Sequence, residues 1–153
     1  MASVQKTVET HYVDASGQIG GRLCSKVAKL LLNGDRVVVV NAEKILVSGQ
    51  RSNVMAGWLE YLKIASVVHP KHGPFHNRTP DGILTRMIRG MVPRRKPSGE
   101  AAMKRLRVYV GVPSQYAKTK FQGFESAAAT KPTAYYVKLG EIASRIGWKG
   151  EAS

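Results

Sequence analysis

A chain of 153 residues, 43% hydrophobic and 22% charged, is long enough to bury a core and too ordinary in composition for wholesale disorder. Its 24 Lys/Arg against 10 Asp/Glu leave a net charge of +14, a field that attracts polyanions, nucleic acid first and anionic membrane surfaces second. Cys24 is the only cysteine, which excludes an intrachain disulfide scaffold, and no apolar run approaches the roughly 20 residues of a membrane span. The opening MASVQKTVETHY has no apolar signal core, so the expectation is a cytoplasmic protein with no membrane partner.

HYVDA (11–15) predicts a short strand. SGQIGG then turns into a helix on which Ile19, Leu23, Val27, Leu30 and Leu31 recur at helical spacing. Arg22, Lys26 and Lys29 fall on the opposite face, and Asn33-Gly34 supplies the stop. RVVVVNA (36–42) is a β-branched run without alternation, as expected of a strand covered on both faces in a parallel sheet. A second short apolar run, Ile45 to Val47, precedes a helix with Met55, Trp58, Leu59, Leu62 and Ala65 on one side. HPKHGPFHNRTP (69–80) is a loop. Thr79-Pro80-Asp81 then offers a cap, a proline at the first helical position and an acid in the first turn. That helix gathers Ile83, Leu84, Met87, Ile88 and Met91 on one arc with Arg86 and Arg89 opposite, and ends at Gly90 and Pro93.

Ser98 starts a further short helix, with Ala102, Met103 and Leu106 inside and Lys104, Arg105 and Arg107 outside. Val108 to Val110 reads as a last strand, 111–133 as a long loop, and 134–153 as a C-terminal tail with an amphipathic helix over Leu139 to Trp148. No repeat appears, and residues 1–153 read as one α/β domain with a largely parallel sheet.

The candidate chemistry is sparse. SGQIGG could offer a helix N-terminus to phosphate, but its spacing is Gly17-x-x-Gly20-Gly21 rather than G-x-G-x-x-G, and a tight strand-to-helix connection accounts for it. His69, His72 and His76 are close enough in sequence to suggest a metal, yet the one cysteine lies far upstream. A basic loop near phosphates, with Lys71, Asn77 and Arg78 as donors, accounts for them better. No G-x-S-x-G elbow or paired carboxylates support catalysis. No cofactor, metal or small-molecule substrate is expected.

The charge is better evidence. Residues 86–107 carry eight basic groups and one acid, a net of +7, so half of the surplus sits in about a seventh of the chain. Arg86 and Arg89, then Arg94, Arg95 and Lys96 after a proline-stiffened turn, then Lys104, Arg105 and Arg107, give long donors on short rigid elements, as phosphate contacts require. There is no zinc-finger, basic-zipper or aromatic RNP-like pattern, so structured RNA gripped through backbone and shape fits better than sequence-specific DNA readout. A small nucleotide-binding enzyme using SGQIGG and a free basic RNA-binding regulator remain the alternatives.

VVVVNAEKILVSG (37–49), RGMVPRRKPSGEAAMKRLRVYVGVP (89–113) and LGEIASRIGWK (139–149) resemble the large-subunit ribosomal protein thirteen family in its archaeal and eukaryotic branch. The resemblance implies a three-layer α/β/α sandwich around a small, mostly parallel open sheet, with basic loop and helical extensions. It also implies a structural constituent of the large ribosomal subunit that binds rRNA beside neighbouring ribosomal proteins, without catalysis and not as a homo-oligomer. The family signature maps onto Gly90, Met91, Pro93, Arg94, Arg95, Lys96, Lys104 and Arg105. Eukaryotic members carry a longer C-terminal extension than is seen here, which favours an archaeal over a short eukaryotic source. Residues 117–131 match the family weakly. The residues expected to meet rRNA are Arg22, Lys26, Lys71, His72, Arg78, Arg86, Arg89, Arg94, Arg95, Lys96, Lys104, Arg105 and Arg107.

Overall fold

The computed structural model describes residues 7–150. Its central sheet is parallel and ordered β1-β2-β4, with β1 at Thr10–Asp14, β2 at Arg36–Val40 and β4 at Leu106–Val108. The β-branched run of β2 takes the middle position because it can be covered twice: Val37, Val38, Val39 and Val40 are all buried. Helix α1 (Gly20–Leu32) follows β1 and lays Leu23, Cys24, Val27 and Leu31 on the sheet. Its exposed positions include Arg22, Lys26 and Lys29, the face the spacing predicted. Asn33 and Gly34, with φ +105 at the glycine, end it.

Helices α3 (Pro80–Gly90) and α4 (Pro97–Lys104) lead into β4 and pack beside α1, adding Ile83, Leu84, Ile88 and Ala102 to one core cluster. A smaller antiparallel sheet pairs β3 (Leu46–Ser48) with β5 (Tyr136–Lys138), and α2 (Arg51–Lys63) and α5 (Leu139–Ile146) pack around it. Among the described residues no helix is long and apolar enough to cross a membrane.

The α/β class and the mostly parallel sheet are as expected, but several local readings change. The Ile45–Val47 run does not extend the parallel sheet. Leu46 N–H donates to the Gln18 carbonyl, and its strand pairs with a distant partner at Tyr136–Lys138. The last parallel strand begins at Leu106, because α4 stops at Lys104 and Val37 N–H reaches the Arg105 carbonyl. Leu106 is therefore a buried strand residue rather than part of a helix face. Met91, expected inside, lies just beyond α3 and is 44% exposed, while its neighbour Val92 is buried. Thr79 stands at the N-cap of α3 without a side-chain capping bond. No residue of α2 is fully buried, and Ala65 lies past its end. The tail helix stops at Ile146, where Gly147 (φ +119) lets Trp148 N–H turn back to the Ala143 carbonyl.

Candidate nucleic-acid interface

The basic residues between α3 and α4 sit on a turn fixed at both ends. Val92 anchors it in the core. Lys96 N–H donates to the Pro93 carbonyl at 2.9 Å, closing a turn with Arg94 and Arg95 at its two corners. Pro97 occupies the first position of α4, where a missing N–H costs nothing. Arg94, Arg95 and Lys96 are all exposed.

Gly99 explains how tight this corner is. It is buried, and a Cβ placed on it would stand 2.2 Å from the Pro93 carbonyl oxygen and 2.4 Å from its carbon. Only a glycine lets the first turn of α4 lie directly on the peptide that bends the basic segment. Lys104 extends the same surface from the end of α4, in a loose exposed ion pair with Glu100 at 3.8 Å.

The other candidate residues divide by their engagements. Arg22, Lys26, Lys71 and His72 are exposed. Arg89 is partly buried on α3. Four arginines already bind the protein's own backbone. Arg105, expected to face outward, is partly buried, and its Nη2 donates to the Leu31 carbonyl at 2.7 Å, a cation on the C-terminal end of α1. Arg78 Nη1 donates to the Ile146 carbonyl at 2.8 Å, serving the end of α5 in the same way. Arg86 ties α3 to the loop before it through the Phe75 carbonyl at 2.9 Å. Arg107 Nη1 reaches the Leu106 and Lys104 carbonyls. Each guanidinium carries five N–H donors, so these bonds orient the groups without exhausting them.

The histidines do not converge. His69 and His72 meet edge to face at 5.8 Å, whereas the His76 ring contacts Tyr61 and its Nε2 lies 2.7 Å from the Ile64 carbonyl. Among the described residues no group of three His, Cys, Asp or Glu could hold a metal ion. The SGQIGG turn is covered by the chain itself: Ile19 N–H donates to the Ala127 carbonyl, and Ala129 N–H to that of Gly17. Residues 127–129 thus tie the turn before α1 to the rest of the chain, as expected of a tight strand-to-helix connection. Cys24 is fully buried and burial pushes its thiol up to about 12, the state of a core residue rather than a nucleophile.

One basic position was not singled out from the sequence. Arg36 opens β2 and is exposed, on the sheet face that also carries Arg107. Its signal was the strand register, which a linear charge count does not contain.

Residues 8–115 match the family model for ribosomal protein L13. The chain is 45% identical to the large ribosomal subunit protein uL13 of Aeropyrum pernix, covering 90% of each chain. It is 41% identical to that of Methanococcoides burtonii, over 90% of this chain and 97% of the relative, and 37% identical to that of Caenorhabditis elegans, over 90% and 69%. The relatives thus span both branches named from the motifs, and the chain belongs to the ribosomal protein L13 family.

Proposed function

We infer that this chain is a structural constituent of the large ribosomal subunit, binding and stabilising folded large-subunit rRNA and so supporting subunit assembly and translation in the cytoplasm. The observation that carries the reading is the Pro93–Lys96 turn, three adjacent cations on a corner that Val92, Pro97 and Gly99 hold rigid. A backbone already fixed loses little freedom when its donors meet phosphates, and the affinity they give comes largely from released counterions. Arg22, Lys26, Lys71, His72, Arg89 and Lys104 would widen the contact, with Arg78, Arg86, Arg105 and Arg107 using their remaining donors. The reading assigns no catalysis, cofactor, small-molecule substrate or membrane contact, and places a single copy beside neighbouring ribosomal proteins. Sedimentation tests it. The chain should comigrate with large subunits through a high-salt gradient, and a chain remaining at the top would count against it.

A further inference from the structure

The face of the parallel sheet away from α1 carries a second cationic surface of different character. At the N-terminal ends of the strands lies a cleft of about 560 Å³ lined by Tyr12 and Val38, by Arg36, Arg107 and Lys104, and by Tyr116 from the loop after β4. That volume is within the range of about 300–1,000 Å³ usual for small-ligand sites. Arg105 also lines it, giving four cations and no carboxylate.

The floor is aromatic. The Tyr12 and Tyr116 rings lie 5.6 Å apart, tilted by 54°, and Tyr109 stands 5.8 Å from Tyr116. Phe121 meets the Tyr12 ring edge-on at 6.4 Å, and both cleft tyrosines are only partly buried and line the open cleft. The cations are fixed around them by register: Arg36 opens β2, and Arg107 lies opposite Val38 across the β2–β4 pair. The carbonyl bonds of Arg107 hold its guanidinium in place while its other nitrogens stay free of protein partners among the described residues.

Aromatic rings beside guanidinium groups that keep free donors match the two parts of a nucleotide, a flat base and an anionic phosphate. A duplex hides its base faces and would bring only phosphates. Resting on the proposed RNA-binding role, we propose that this cleft takes an unpaired nucleotide of single-stranded RNA, its base against Tyr116 and Tyr12 and its phosphates on Arg36 and Arg107. Stacking accepts any base, so the site selects for strandedness rather than for sequence.

The test is fluorescence anisotropy of the full chain with a short oligoadenylate and with a blunt RNA duplex of equal length. Tyr116→Leu, which keeps an apolar cover over Val38, should weaken oligoadenylate binding about tenfold and leave the duplex unchanged. Arg36→Gln, at an exposed position, should lower the oligoadenylate salt slope by about 0.7. Equal losses for single strand and duplex, or no loss for either, overturn the proposal. If oligoadenylate is unaffected by both variants while substitution of Arg94, Arg95 and Lys96 weakens binding to folded rRNA and lowers its salt slope, the cleft assignment fails and the broader reading stands. If the unaltered chain binds a folded large-subunit rRNA fragment but not oligoadenylate, the cleft assignment fails alone; if it binds none of the three RNAs, both readings fail.

Discussion

Gly99→Ala isolates the geometry of the basic turn from its charge. The added methyl would lie 2.2 Å from the Pro93 oxygen, 2.4 Å from its carbon and 2.9 Å from the Arg94 nitrogen. All three are backbone atoms, so no rotamer change relieves the overlap, and α4 and the turn must separate by about an ångström. Overpacking of this kind costs about 1–3 kcal/mol. The better helix propensity of alanine returns at most about 1 kcal/mol. Three backbone overlaps place the cost in the upper part of the overpacking range, about 2–3 kcal/mol, so the net loss is about 1–3 kcal/mol. A chain of this size should therefore melt roughly 2–12 °C lower, at about 2–4 °C per kcal/mol. Gly90→Ala is the internal control, since its Cβ would meet nothing within 4 Å at the end of α3; it should be neutral or slightly stabilising. Thermal unfolding by circular dichroism reads both. Binding of a large-subunit rRNA fragment should weaken for Gly99→Ala although no cation is lost. If Gly99→Ala melts at or above Gly90→Ala and binds RNA as the unaltered chain does, the close approach does not set the turn.

Cys24 should resist thiol reagents in the native state and react only at the rate of global unfolding, as followed by labelling under increasing urea. Because its thiol is raised to about 12 by burial, the unfolded chain ionises first, and the stability tied to this group falls as pH rises above about 9. The stability advantage over Cys24→Ala should then shrink by about 1.4 kcal/mol per pH unit above that point. Arg78→Ala should lower stability by about 1 kcal/mol in urea titrations, through the lost bond to the Ile146 carbonyl at the end of α5, while Arg22→Ala, on the exposed face of α1, should leave it unchanged.

What the sequence revealed follows from where the determining physics is local. The β-branched run of β2, the Asn33-Gly34 stop and the proline at the start of α3 write their structure into neighbouring residues, and each appeared where expected. The pairing of Leu46–Ser48 with Tyr136–Lys138 joins segments about ninety residues apart and left no local mark. Met91 fitted the helical period of α3, but α3 ends at Gly90 and its arc could not continue. The exposed cations on the Pro93–Lys96 turn were legible because prolines and charges adjoin in sequence. The engagements of Arg78 with Ile146 and of Arg105 with Leu31 were not, since a helix end finds its cation in three dimensions. Arg36 shares a cleft with Arg107 only through strand register.

The most direct measurement of the central claim is the salt dependence of binding to a folded large-subunit rRNA fragment. Replacing Arg94, Arg95 and Lys96 together by alanine should reduce the slope of log K against log salt by about two to three, at about 0.7–0.9 for each phosphate no longer neutralised. The three side chains are exposed and the turn that carries them is held by backbone and core packing, so the melting temperature should hold. An unchanged slope with intact folding would show that the turn between α3 and α4 is not where this protein meets RNA.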